Sequence, residues 1–462
     1  MRFVSVVCAS LGLLGARTSA AQVDEEALEL MRETVSYTDV ADAADGRDPF
    51  DLNVNLSYER VRDRASLYRE HALADGTRTQ QKVAHSHHEV SRLALGLDVG
   101  LLRDLMATAR LPLVLSDART LDAVEGARAF TTAGPGDEVP MFDLPFASPR
   151  RAGLDYLAMG AAWAVLNQMR TPWNPTWVLR IEGRRAIGTS LRAACQDAGS
   201  ACAPEKVDRR AGSSRGMSGL AAETRFSRRY RYVEPYAGLS FLMEWPALGN
   251  DAARRRFRTS DGEGRAGRPG PESGATLGAA IVPWEERGSF QRIAVDVRLT
   301  AVHVARGIDY SPLFDALGSS SHPALATPRF TSVRGSLPGA DPRAACSGPD
   351  DVDCGEGPVP FTGVTQVDAH LRYGGQIGLE VQAARYVRFT AGTSLQWTTP
   401  HAVTGLAPCS GSGAGGLADD GRVCTSGRVD ARHRAAIDAP GRRFYVRDQL
   451  LIGVYAQATA QF

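Results

Sequence analysis

Charged side chains recur along this chain at alternate positions, and a row of that kind on one face suits a polar passage. The residues are Asp98, Arg110, Arg180, Glu182, Arg184, Glu223, Arg225, Glu234, Arg292, Asp296, Arg298, Asp368, His370, Arg372, Glu380, Arg388 and Arg447. Arg rows opposite acidic rows can guide solutes, and the mixture of signs predicts weak ion selectivity. The same rows can instead pair with one another and fill the space between them.

Other groups carry less. His85-Ser86-His87-His88-Glu89 is the densest histidine group, with His85, His87 and Glu89 on one strand face. It reads as a metal or proton site, or as a wetted strand end. Some barrels are hydrolases with Ser and His on the wall, but the Asn-x-x-Ser-Asn context is absent around Ser86, His87 and Ser91. No enzyme activity, metal or cofactor is expected. Asp39, Asp42, Asp45, Asp48 and Asp51 recur every third residue. A calcium loop needs alternate positions and a closing Glu, so this is either a solvated linker or an acidic segment that folds back onto Arg side chains. Arg254, Arg255, Arg256, Arg258, Arg265 and Arg268 make one loop basic. It is read either as a plain flexible loop or as a partner for lipopolysaccharide phosphates.

The elements that must position these residues are strands. Ile293, Val295, Val297, Leu299 and Ala301 share a face against Arg292, Asp296, Arg298 and Thr300. Trp177, Leu179 and Ile181 oppose Arg180, Glu182 and Arg184; Leu105 to Leu115 repeats the pattern against Thr108 and Arg110. Period two is strand geometry. The spacing predicts twelve strands, at 50–63, 82–101, 105–116, 154–168, 175–188, 217–228, 231–246, 273–284, 290–306, 364–382, 386–399 and 442–462. In 154–168 and 273–284 neither face is clearly apolar. Pro112, Pro235 and Pro283 interrupt strands, so bulges are expected there and counts of ten or fourteen stay compatible. Connections alternate between tight turns and long loops, at about 64–80, 117–153, 188–216, 246–273, 307–363 and 400–441. That asymmetry is the signature of a membrane β-barrel with short periplasmic turns and long extracellular loops. Trp163, Trp173, Trp177, Trp245, Trp284 and Trp397 fall near strand ends, as interfacial girdles require. Barrels of about eight strands are filled by side chains and those of about sixteen hold water, so passage and filled lumen both remain open at twelve.

Composition agrees. The chain has 462 residues, 43% hydrophobic, with 53 basic against 52 acidic side chains and a net charge of +1. A balance so near zero argues against a nucleic-acid binder. Residues 1–21 read as an export signal: Arg2, an apolar run to Leu14, then small residues before Gln22. That run falls short of the about 20 apolar residues a membrane helix needs. Residues 22–49 form an acidic periplasmic segment, and 50–462 the barrel.

The last strand places Leu450, Ile452, Val454, Ala456, Ala458, Ala460 and Phe462 on one face. Here the sequence resembles Gram-negative outer-membrane β-barrels. The resemblance implies that Ala458, Ala460 and Phe462 form the signal read by the barrel-assembly machinery, with outer-membrane lipid and lipopolysaccharide around the barrel. Gly153-Leu154-Asp155-Tyr156-Leu157-Ala158-Met159-Gly160, with Trp177–Gly188, is similar to strand pairs of transporters grouped with a phenol-degradation (MetA-pathway) family. That likeness implies a channel for small, aromatic or amphipathic solutes. A non-conducting display barrel is the alternative.

Cys8 lies inside the export signal. The remaining cysteines fall as Cys195/Cys202, Cys346/Cys354 and Cys409/Cys424, each pair within one long loop. Local disulfides are expected, each closing a small loop and stabilising it by roughly 2–3 kcal/mol.

Overall fold

The computed structural model describes residues 37–41, 51–73, 75–134, 137–193, 211–247, 257, 267–286, 289–326, 361–384, 386–410, 428–429 and 432–462. Twelve long strands follow one another: β1 Leu52–Ala72, β2 Arg78–Leu102, β3 Leu105–Ala123, β4 Tyr156–Leu166, β5 Thr176–Ala186, β6 Met217–Ser227, β7 Val233–Pro246, β8 Glu272–Glu286, β9 Gln291–Val304, β10 His370–Ala384, β11 Val387–Thr398 and β12 Phe444–Gln461. Each pairs antiparallel with its sequence neighbour, and β1 pairs with β12 from Asn53↔Gln461 to Arg69↔Phe444. The sheet is therefore a closed barrel with no free edge. Leu52 and Phe462 exchange backbone hydrogen bonds across the seam, which ties the two ends of the barrel chain together.

All twelve expected strands form, and the first three run well beyond the bounds that alternation predicted. β1 and β2 continue to Ala72 and start from Arg78, so much of the expected 64–80 loop is hairpin; β3 runs on to Ala123. Pro283 sits at a register shift between Ile281 and Trp284. Pro112 falls between the pairs Arg110↔Ala158 and Leu113↔Leu154, where the ladder loses a residue of register. Pro235 keeps regular register with Ala279.

At the long-loop end, connecting segments fold into the barrel mouth and build an apolar core. Leu67, Leu313, Leu317, Leu325, Ile437, Phe444 and Val446 are at most 1% exposed there. A second cluster joins Leu191, Phe257, Ile308 and Phe314. Arg69 staples the first. Its guanidinium donates to the carbonyls of Phe130 (2.7 Å), Thr132 (2.6 Å), Ala436 (2.7 Å) and Arg442 (3.2 Å), so one buried charge holds two loops. Asp315, on the short helix that brings Leu317 to this core, forms a buried ion pair with Arg151. Asp438 accepts the backbone N–H groups of Gly405, Leu406 and Arg434, which fixes a turn that would otherwise bury unpaired donors.

Candidate functional site

The barrel's polarity is inverted relative to a soluble domain. Arg292 and Glu234 are fully buried, and Glu380, Arg388, Glu182 and Arg180 are at most 9% exposed. Met159, Ile181, Leu239, Leu277 and Leu299 are at least 60% exposed on the outer face. An apolar wall this continuous is unstable in water. Aromatics edge it: Trp163, Trp173, Tyr230, Tyr232, Trp284 and Tyr386 toward the short turns, and Tyr373 stacked with Trp397 higher up. The chain is a membrane-spanning β-barrel.

The expected lumenal residues interlock. Glu182 accepts from Arg184 at 2.9 Å and from Arg180 at 3.3 Å. Glu223 pairs with Arg225. Asp296 accepts from Arg298 at 3.1 Å and from the Tyr236 hydroxyl, which in turn accepts from Arg298 at 3.0 Å. Arg292 donates to Glu380 at 2.7 Å, and Asp98 accepts from Asn55 at 2.7 Å. Arg110 stands within electrostatic reach of Arg180 and Glu182. Nearer the long loops, Arg372 pairs with Glu272 at 2.6 Å, Asp368 with Arg306 at 2.8 Å, and His370 stacks on His401 with ring centres 4.0 Å apart. Arg447 lies over the Tyr68 ring at 5.1 Å, on the strand face opposite the buried Phe444 and Val446. The left-handed Asp448 (φ 52°) follows it, and the face exposed to the outside changes phase there.

Residues 37–41 lie inside this belt. Asp39 accepts from both terminal nitrogens of Arg388, each at 3.1 Å. The Thr38 and Ser227 hydroxyls are 2.7 Å apart. Arg225 donates to the Tyr37 carbonyl at 2.9 Å. The Ala41 N–H reaches the Met106 sulfur at 3.3 Å, and Ala41 packs with Met106, Ala162, Ala164 and Val178. The Tyr37 ring stacks on Tyr236 with centres 4.3 Å apart, and the guanidinium carbons of Arg225 and Arg298 lie 4.9 and 5.0 Å from its centre. Of the five spaced aspartates, Asp39 therefore reaches a lumenal Arg; Asp42, Asp45 and Asp48 lie outside the described residues.

The seat explains two ambiguous strands. β4 turns Ala158, Gly160, Ala162 and Ala164 inward, and β8 turns Gly274, Thr276, Gly278 and Ala280 inward. Over these stretches the inner faces carry no charge, which makes room for chain and rings. Tyr37, Tyr236 and Met106 were not singled out by sequence; small residues on both faces of a barrel strand were the available signal.

The histidine group divides between the two faces. His88 meets Asp117 inside at 3.0 Å, while His87 meets Asp122 at 3.3 Å and Glu89 is shared by Arg60 and Arg62 outside. Among the described residues no three His, Cys, Asp or Glu side chains are grouped as metal ligands. Residues 1–21, Cys195, Cys202, Cys346, Cys354 and Cys424, and Arg254, Arg255, Arg256, Arg258 and Arg265 lie outside the described residues. The backbone of Cys409 pairs with Val429. Arg268 contacts the Met243 sulfur at 3.5 Å. At the carboxyl end, Phe462 is 60% exposed at the seam.

No family model and no curated protein matches the chain. Solved structures similar to it include an outer-membrane channel from Pseudomonas putida F1, at 7% identity and a TM-score of 0.37, covering 88% of this chain and 95% of that one. A Pseudomonas aeruginosa FadL homologue aligns at 9% identity and 0.32, over 89% and 90% of the two chains. The Escherichia coli outer membrane protease OmpT aligns at 6% and 0.28, over 89% and 97%. The functional reading rests on the barrel's own geometry.

Proposed function

We propose that this barrel is an outer-membrane channel for passive passage of small solutes, closed at rest by its own N-terminal segment. Its short turns and both barrel ends face the periplasm of a Gram-negative cell, reached after removal of an export signal. The Asp39–Arg388 pair carries the reading: a segment far away in sequence is held inside the lumen by a charge contact rather than by strand pairing. Its other attachments include a hydroxyl pair, a backbone carbonyl contact, a sulfur contact, a ring stack and two guanidiniums over that ring. Such a set is reversible without opening the barrel wall. When the segment leaves, Arg180, Glu182, Arg225, Asp296 and Arg298 line a mixed-charge passage with weak ion selectivity.

A second reading, a non-conducting barrel that displays its loops, is favoured by the apolar core at the long-loop mouth. Deletion of residues 22–48 separates them. In planar bilayers the deletion should give discrete conductance steps where the full mature chain is mostly closed. Silence of both proteins supports display.

A further inference from the structure

Tyr37 is held as a ligand is held. One face of its ring meets Tyr236, and two guanidiniums lie close to the ring. Arg298 serves Tyr236 as well, at 5.5 Å from that ring's centre. The hydroxyl is directed at Thr276 on β8. Two glycines shape the space. A Cβ at Gly238 would collide with the Tyr37 hydroxyl, and one at Gly278 would collide with the Tyr236 ring. Backbone freedom is not the reason for these glycines, since neither has a positive φ.

The walls of this cradle are fixed without Tyr37. Arg225 is held by Glu223, and Arg298 by Asp296 and the Tyr236 hydroxyl. These partners come from β6, β7 and β9, all barrel strands. The contacts to the ring are side-chain contacts that need no peptide; the main-chain link is the separate Arg225 bond to the Tyr37 carbonyl. A free aromatic ring would meet the same face, the same cations and the same hydroxyl partner. Desolvated cation–π and stacking contacts favour an aromatic ring over an aliphatic one of equal size.

We propose that the Tyr37 cradle is a solute-binding site of the lumen, and that a small solute with a planar aromatic ring and a hydroxyl group occupies it in exchange for Tyr37. The exchange half rests on the gated-channel reading; the binding half does not. Occupation by such a solute removes the ring stack that helps hold residues 37–41 in place, so the solute promotes its own passage.

The test uses the full mature chain with Tyr37→Ala, purified as a folded barrel in detergent, and 4-methylphenol as the probe. Equilibrium dialysis should show saturable binding to Tyr37→Ala, and about tenfold weaker binding to the unaltered protein, the effect of one occupied stacking site. Cyclohexanol should bind Tyr37→Ala about tenfold more weakly than 4-methylphenol. Adding Gly238→Leu should abolish binding; Tyr236→Leu serves the same purpose where Gly238→Leu does not fold. Equal binding by Tyr37→Ala and the unaltered chain overturns the site, as does binding that survives both wall substitutions. In bilayers, 4-methylphenol should lengthen openings of the unaltered channel. Binding without that change contradicts the exchange and the gating beneath it, whereas a deletion that opens the pore without any binding contradicts the site alone.

Discussion

Arg388, at the start of β11, gives both terminal N–H groups to one carboxylate oxygen of Asp39, 349 positions earlier in the chain. The side chains are 6% and 13% exposed, so water does little to replace either partner. Removing one member of a buried pair strands the other charge, at about 3–5 kcal/mol. Asp39→Asn and Arg388→Gln should each free residues 37–41, seen as faster amide hydrogen exchange of that segment by mass spectrometry. The exchanged pair Asp39→Arg with Arg388→Asp should restore protection. Unaltered exchange in both single variants would contradict the role given to this contact.

The cap at the long-loop mouth should respond to its own buried pair. Arg151→Met leaves Asp315 without its guanidinium partner and should lower stability by about 3–5 kcal/mol. The double variant Arg151→Met with Asp315→Leu should recover much of that loss. Thermal unfolding in detergent measures both.

Inverted polarity makes a contrast between two large-to-small substitutions. Phe444 is fully buried in the cap core, and Phe444→Ala should cost about 3–5 kcal/mol. Leu277, 62% exposed on the outer wall, leaves no internal cavity when shortened. Leu277→Ala should move the thermal midpoint in detergent far less. Equal losses would contradict the placement of the two faces.

His401 supplies a pH dependence. It lies in the short strand His401–Ala402, its Nδ1 is 2.9 Å from the Thr399 carbonyl, and its ring stacks on His370. Burial, and then the neighbouring His370, push its pKa from 6.5 down to about 4. Arg372, Glu272 and Asp309 are the charges near the His370 ring, the first two paired with each other. The native state therefore binds fewer protons than the unfolded one. Its stabilising contribution is present above 6.5 and is lost as pH falls toward about 4. The adjacent Val403 amide, bonded to the Phe444 carbonyl at 2.9 Å, reports on this. Its protection factor should drop across that window, and His401→Phe should flatten the drop.

The barrel was legible in the chain because lipid imposes a strict rule on every spanning strand, as Ile293 to Ala301 show. The rule changes above the membrane. Arg60, Arg62, Glu89 and Asp122 face outward there, while Leu67 and Leu121 face the cap core. Alternation persists with its polarity reversed, and the ends of these strands at 64–72, 78–81 and 117–123 read as loop. Arg447 falls in the same kind of phase change, at Asp448. The cap was illegible for another reason: Leu313, Leu317 and Ile437 come from separate loops whose meeting no local pattern encodes. Asp39 stood out as one of a spaced series, but its partner is fixed only by barrel closure. Tyr37 carried no signal of its own, and its seat was written in the small inner residues of β4 and β8.

The gated-channel account meets its most direct test in a tether between Thr38 and Ser227, whose hydroxyls are 2.7 Å apart. Thr38→Cys with Ser227→Cys would lock residues 37–41 to β6 by a disulfide. Single-channel recording of the oxidised protein, then of the same bilayer after reductant, gives the answer against the unaltered protein treated identically. The account predicts no openings while the tether holds and a return of discrete steps once it is reduced. Openings of the same size and frequency before and after reduction would contradict it.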